Sequence, residues 1–398
     1  MKKIYDVAVI GGGIIGLSTA YYLAKEGKKV VLIEKNEIGS GASGSCDDMI
    51  LFQSKKPGIL LELAFESLEM YKRLSKELDV DIHFENRGGM ILIEDQRHLE
   101  VMEEFVQKQR NCGLEVEIID KKDVLKKQPY IKKGVIASTY SSKDAQVNPL
   151  NVMRGFVSSG VSLGLEIKKH VVIKDIKQKK DYWKILFDDG RWIESEKIVN
   201  AAGAWASDIG KMIGIDIPIK PKKGQIAVTE QIPRIGETNV WSAEYIVAKL
   251  RPELAKNKDD LHNKLGIGFA FSQCSDGNYL IGSTREYVGF DKTTNYEALK
   301  IMINQAIKFF PILKHAHIIR SFGGLRPASA DGKAIISEVK NRKGFYIAAG
   351  HEGDGIALAP ITGKLIADMI SNRNIYYDMN ALSLRRFEQK EGAKNASA

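Results

Sequence analysis

The chain has 398 residues, more than one ordinary hydrophobic core accommodates, so two domains are expected. Its 44% hydrophobic and 27% charged residues are those of a globular protein, and the net charge of +9 comes from lysines spread along the chain. That spread, without a helix-turn-helix, zinc or RNA-recognition signature, argues against a nucleic-acid partner. No apolar run reaches the ~18 residues of a membrane span. Cys46, Cys112 and Cys274 have neither paired nor metal-ligand spacing, which fits free thiols in a reducing compartment and speaks against a structural zinc or iron–sulfur cluster.

Tyr5 to Lys35 reads as an apolar strand, a glycine turn, an amphipathic helix and a second strand ending in Glu34. This is a dinucleotide-binding βαβ unit. Gly11 permits the tight turn, Gly13 lets backbone approach a pyrophosphate and Gly16 lets helix pack on strand. The helix starting near Ile14 and Ile15 turns unpaired N–H groups and the positive end of its dipole toward a diphosphate. Glu34, followed by Lys35, stands where a carboxylate hydrogen-bonds a ribose hydroxyl and repels a 2′-phosphate, which favours NAD or FAD over NADP. Met1-Lys2-Lys3 imitates the start of a signal peptide, but the glycine turn falls where its apolar segment belongs, so a cytoplasmic location is expected.

A loop of small residues, Asn36 to Asp48, then replaces the second helix and third strand of a simple NAD-binding domain. Helical periodicity marks Glu62 to Leu78, His98 to Asn111 and a helix opened by Asn148-Pro149. Strands are expected at Gly89 to Ile93, Val135 to Tyr140, Glu166 to Ile176, Trp183 to Phe187 and Trp192 to Val199, with Asp189-Gly190 as a hairpin turn. Gln225 to Glu230, Tyr245 to Leu250, Gly266 to Ser272 and Tyr279 to Gly282 predict an antiparallel sheet. The polar insertion 255–264 reads as a mobile surface loop and residues 391–398 as a frayed tail. From Phe345 the chain returns to a buried strand, a glycine-rich turn and a helix ending near Ile370. The fold class is α/β with an α+β second domain: a Rossmann-like domain from residues 1–85, 148–220 and 323–398, and an antiparallel-sheet substrate domain from 86–147 and 221–322.

Four segments add chemistry: Gly39 to Asp48, Val199 to Asp208, Gly323 to Ile336 and Ala348 to Gly363. In that order, with the Ala-Gly-Ala-Trp, Leu-Arg-Pro and Gly-His-Glu-Gly runs they contain, the chain resembles the FAD-dependent D-amino-acid oxidase superfamily. That group includes glycine oxidase, sarcosine oxidase and the flavin subunits of bacterial proline, hydroxyproline and opine dehydrogenases. The resemblance implies noncovalent FAD. Ser40, Gly41, Ala42 and Ser43 would then offer N–H groups and hydroxyls to the ribityl chain and pyrophosphate. Cys46 and Asp47 close the same loop, Cys46 at no position that matches a covalent flavin linkage. Ile173 would pair its backbone with adenine, and Ala202, Gly203 and Trp205 would pass close to the cofactor; ordinary strand packing is the competing reading for Ile173.

The turn Gly350, His351, Glu352, Gly353, Asp354, Gly355 and Ile356 precedes the last helix, whose N-terminus would face the flavin edge that gains negative charge on reduction. Two carboxylates in that turn oppose this effect unless they point away or cap the helix. By the resemblance Arg326 holds the substrate carboxylate, for which a guanidinium fork suits; an ion pair with Asp331 is the alternative. Tyr245 resembles a carboxylate-binding tyrosine on a strand, or is core. His351 donates to flavin or substrate, or bonds backbone, and Lys223 lies near the ring or in solvent. The implied activity is oxidation of a small amino or imino acid, of glycine, sarcosine, proline, hydroxyproline or opine type, by hydride transfer to flavin N5. Gly282 to Glu286 and Gly350 to Gly353 favour a proline-like or N-substituted substrate. By the same resemblance an electron-transfer partner subunit is expected; an oligomer is expected as well. A 2-hydroxy-acid or glycerol-phosphate dehydrogenase, or a non-catalytic electron-transfer subunit, are the competing readings.

Overall fold

The computed structural model describes residues 4–132, 134–254 and 261–388. The strand Ile4–Ile10, helix Ile14–Lys25 and strand Val30–Ile33 form the expected βαβ unit. Val7, Ala8, Val9 and Val30 to Ile33 are buried because parallel strands inside a sheet are covered on both faces. Ile4–Ile10 lies at the centre of an eight-stranded sheet. Parallel to it run Val30–Ile33 and Glu166–Lys168 on one side and Trp192–Asn200 and Phe345–Ala349 on the other, with antiparallel Ile335–Glu338 at the edge. Ile173–Gln178 and Trp183–Phe187 form the meander on Trp192–Asn200. The single strand expected from Glu166 to Ile176 is therefore two, broken at His170, whose φ of 56° turns the backbone away from the parallel edge.

The returning C-terminal segment completes this half. Helix Gly355–Ile370 packs against Ile14–Lys25 so closely that a Cβ on Gly363 would lie 2.2 Å from Ser18 Oγ, and that hydroxyl donates to Ala359 O at 2.8 Å. Helix Ile59–Leu78 lies outside both, with Tyr71 donating to Ile356 O at 2.6 Å. Asn148 caps Pro149–Ser162 by accepting from Leu150 N and Asn151 N, which explains why the helix starts at the Asn-Pro pair.

The second sheet also has eight strands, in the order Ile318–Ser329, Ile219–Gln231, Asn278–Gly282, Ala270–Gln273, Asn239–Ser242, Gly89–Ile93, Ala137–Ser141 and Glu117–Asp120. All neighbours are antiparallel except Asn239–Ser242 beside Gly89–Ile93. Stacked Phe269, Phe271, Tyr279, Phe309 and Phe310 form much of its core.

Two predicted strands differ. Tyr245 to Leu250 belongs to the helix Ala243–Leu250: Ser242 accepts from Glu244 N as its cap, and Ala243, Ile246 and Val247 recur at helical spacing on the buried side. The β-branched residues there satisfy either period, and the cap decides. Gly266 to Ser272 becomes regular only at Ala270, because Gly266 takes a φ of 58° and the preceding stretch bonds to Ser283 and Arg285. Of the insertion at 255–264, residues 261–264 form a short helix and 255–260 lie outside the described residues, as do Met1 to Lys3 and the expected tail. Among the described residues no helix is long and apolar enough to cross a membrane, and no cluster of His, Cys, Asp or Glu could hold a metal.

Candidate functional site

Where Ile4–Ile10 meets its helix, Gly11 has a φ of 112°, and a Cβ there would lie 2.4 Å from Ala201 O. Only glycine suits that position. Gly16 serves packing: its Cβ would meet Gly11 O at 2.0 Å. Gly13 opens directly onto Ser43, whose hydroxyl accepts from Ile14 N at 3.0 Å and so ties the small-residue loop to the helix N-terminus. Glu34 is fixed by two backbone donors, Gly12 N at 2.7 Å and Asn36 N at 2.8 Å, which leave its remaining lone pairs facing the cavity.

These residues open one end of a long cavity of ≈ 310 Å³. Gly11, Gly13, Ile14, Ile15, Glu34, Lys35, Ser40 to Ser43, Cys46, Asp47, Ile173, Ala202, Gly203 and Trp205 line it, and Arg326, His351, Glu352, Gly353, Gly355 and Ile356 stand toward its far end. Of the expected cofactor residues, Gly16, Gly350 and Asp354 are off its wall. Gly350 instead makes the left-handed turn over Ile219 and Ser329, with φ of 82°. Lys35 stacks its ammonium 3.6 Å from the Trp205 ring centre. Cys46 is deep in the protein, with one side facing the cavity; burial pushes its thiol far above the ordinary range and its Sγ lies 3.2 Å from Ser43 O. A thiol so held is a poor nucleophile. Cys112 and Cys274 are free as well.

At the far end the cavity adjoins a second one of ≈ 150 Å³, and Asp47, Arg326, Glu352 and Gly353 line both. Arg326 is carried by the strand Ile318–Ser329 opposite Lys222, and its guanidinium lies on Gly224, where a Cβ would come within 2.3 Å of Nη1. It donates to Thr284 O at 2.9 Å and Ser283 Oγ at 2.8 Å. Burial and then the nearby Arg285 lower its pKa, without discharging a guanidinium. Asp331 is not its partner: Arg386 takes that carboxylate by two bonds, at 2.8 and 3.0 Å.

The two carboxylates of the final turn are both neutralised. Glu352 pairs with Lys222, and Asp354 lies 2.7 Å from the buried Lys55. Burial opposes the Lys222 charge, yet the Glu352 hydrogen bond and charge outweigh it and raise that pKa. His351 is buried with Nε2 3.0 Å from Thr362 Oγ1, and burial, opposed by Asp354, lowers its pKa to about 4. It is a neutral imidazole at pH 7. Tyr245 lines the second cavity from its helix, not from a strand, with its ring under Arg285. Lys223 lies off both cavities, 3% exposed and 3.1 Å from Asp291 Oδ2.

An extended cavity with a glycine turn at one end, a ribose-side carboxylate and a charge-neutralised helix N-terminus at the other fits a dinucleotide longer than a single nucleotide. The family described as FAD dependent oxidoreductase (DAO) matches residues 6–369. The chain belongs to that family. As an FAD-dependent oxidoreductase of this family it acts on CH–NH or CH–NH2 donors, in amino-acid oxidation. It is 27% identical to glycine oxidase of Geobacillus kaustophilus, covering 99% of this chain and 100% of that protein. It is 26% identical to the hydrogen cyanide synthase subunit HcnC of Pseudomonas protegens, covering 97% of each. The solved glycine oxidase from G. kaustophilus superposes with a TM-score of 0.86 at 26% identity over 96% of this chain and 98% of that one. L-proline dehydrogenase from P. horikoshii gives 0.86 at 25% identity over 98% and 99%.

The sequence assigned no role to Lys55, Lys222 or Gly224, and took Arg285 only as part of the run Gly282 to Glu286. The first two are lysines in polar runs, which look solvated until the fold brings them against the last helix. Gly224 had a readable signal, a glycine immediately before the expected strand Gln225 to Glu230, where it leaves room for close approach by another group.

Proposed function

We propose that the chain oxidises a small amino or imino acid, of glycine, sarcosine, proline, hydroxyproline or opine type, with its carboxylate on Arg326 and noncovalent FAD along the long cavity. The observation that carries this reading is Arg326 at the junction of the two cavities, among the described residues without a carboxylate partner of its own. In this reading residues 1–85, 148–220 and 323–398 carry the cofactor, and 86–147 and 221–322 the substrate side.

Bound FAD would supply the two-electron acceptor for the hydride that leaves the substrate carbon as the neutral amine becomes an iminium ion, which gives up a proton to water as the imine forms. Around it the protein's own groups position and neutralise. Gly11, Gly13 and Ser40 to Ser43 hold the pyrophosphate stretch, and Glu34 the ribose. Arg326 orients the substrate through two parallel hydrogen bonds, which turns an encounter into a fixed geometry. Lys222 and Lys55 cancel the two carboxylates of the last turn, so the helix N-terminus keeps its favourable field. His351, neutral and bonded to Thr362, stiffens that turn. No acid–base triad is needed for this chemistry, because positioning does most of the work.

Glycine oxidase and L-proline dehydrogenase among the similar proteins support the substrate class. HcnC, by its name a subunit, supports reoxidation through a partner chain in an oligomer. We place the enzyme in the cytoplasm on its free cysteines. The test is anaerobic addition of glycine, sarcosine, proline, hydroxyproline, lactate and glycerol 3-phosphate to the FAD-loaded protein. Bleaching by amino acids supports the reading; bleaching by the hydroxylated compounds alone replaces it with alcohol oxidation.

A further inference from the structure

The geometry points to a substrate with two carboxylates: Arg285, facing the same small cavity as Arg326, is a second carboxylate site that selects dicarboxylic amino acids. This rests on the amino-acid reading above and narrows it. Arg285 lines the ≈ 150 Å³ cavity together with Arg326, Tyr245 and Asp47. The two arginines are tied to one segment, since Arg326 donates to Ser283 and Thr284, the residues immediately before Arg285.

The Arg285 side chain is held in a built position. Its guanidinium carbon lies 3.5 Å from the Tyr245 ring centre, and its Nη1 donates to Gly266 O at 3.2 Å. Gly268 makes room for it: a Cβ there would stand 2.7 Å from Nη1 and 3.2 Å from Tyr245 Cβ. Stacked on a ring and resting on glycine, the fork is pre-organised with donors left over, the condition under which arginine grips a carboxylate well. Among the described residues neither arginine has a carboxylate within 4.0 Å.

Charge sets the class of ligand. Glu352 and Asp354 are cancelled by Lys222 and Lys55, so the cavity wall holds two guanidiniums against the single carboxylate of Asp47, whose pKa burial raises and Arg326 pulls back. Exposed Lys56 and Lys249 at the mouth add further positive charge. A monocarboxylic amino acid occupies Arg326 and leaves the half-buried Arg285 fork with donors that no carboxylate meets. An amino acid with two carboxylates and one ammonium matches two arginines and one aspartate. The small volume restricts it to compounds the size of iminodiacetate or aspartate.

The test uses the FAD-loaded enzyme and an unreactive pair read by the perturbation of the flavin spectrum: oxydiacetate, with two carboxylates, and methoxyacetate, with one. Oxydiacetate is expected to bind about 30-fold more tightly, the worth of one charge-assisted bidentate contact. In Arg285→Gln that ratio should fall to about 3 or less. A wild-type ratio near 1 overturns the inference even if the variant fails to load FAD, and so does a ratio the variant leaves unchanged. Anaerobic reduction by iminodiacetate and by aspartate then separates a secondary from a primary amine. Equal reduction rates at low concentrations of glycine, proline and both dicarboxylates overturn the second site and leave amino-acid oxidation standing. A ratio of about 30 in the wild type that falls in the variant, with no bleaching by any amino acid, supports the two-carboxylate cavity and overturns the oxidation reading instead.

Discussion

Acid should destabilise this protein through His351, and the size of the effect follows from its burial. The imidazole has a pKa of about 4 in the folded state against an ordinary 6.5, because burial penalises the charged ring more than Asp354 assists it. A depressed histidine pKa means the unfolded chain binds the extra proton first. The stability it contributes is complete above pH 6.5 and is lost as pH falls toward 4. Between pH 7.5 and pH 5 the loss is about 2 kcal/mol. Two buried carboxylates act the other way: Asp48 and Asp144, each raised to about 6 by burial, favour the folded state as pH falls from 7 toward 4. At about 1.4 kcal/mol each over the same interval, they mask the histidine in the overall pH profile. The informative comparison is therefore wild type against His351→Gln, whose amide can still reach Thr362. Urea unfolding of the FAD-loaded proteins at pH 7.5 and 5.0 should show wild type losing about 2 kcal/mol more than the variant across that step. Equal changes in the two proteins would show that His351 does not titrate as its burial demands.

Three further outcomes follow from the same geometry. Arg326→Leu should raise KM steeply while FAD stays bound, measured by flavin content and by kinetics on the best amino acid; unchanged kinetics would remove Arg326 from the substrate site. Gly11→Ala forces a Cβ against Ala201 O at a φ of 112°, a strain of at least about 2 kcal/mol, so purified protein should contain little FAD by absorbance. Acid precipitation should release all flavin into the supernatant, since the buried Cys46 thiol stays protonated, and flavin retained in the pellet would contradict this.

The first βαβ unit was legible because its pattern is contiguous in sequence: Gly11, Gly13 and Gly16 sit in one turn between strand and helix, Gly16 packs on Gly11 O, and Glu34 directly follows the second strand, although Gly11 itself meets Ala201 O from a distant segment. The return of the chain at Phe345 was legible for the same reason, as strand, glycine turn and helix. Tyr245 shows where local reading stops. Its neighbours suit strand and helix alike, and Ser242 with the strand Asn239–Ser242 already filling the sheet settles the matter. The charge balance of the site was illegible for a different reason. Lys55 meets Asp354 across 299 positions of sequence and Lys222 meets Glu352 across 130, so the two acidic residues of the turn read as a conflict until the partners arrive. Arg285 belongs to this class too: only the fold brings it under the same cavity as Arg326.

Amino-acid oxidation by this protein is tested by a single anaerobic turnover. One equivalent of an amino acid mixed with FAD-loaded enzyme should bleach one equivalent of flavin and yield, after hydrolysis, one equivalent of the corresponding oxo acid or, for a cyclic substrate, its imine. Full bleaching by 2-hydroxy acids or glycerol 3-phosphate, with the amine compounds recovered intact, would show that the protein oxidises alcohols instead.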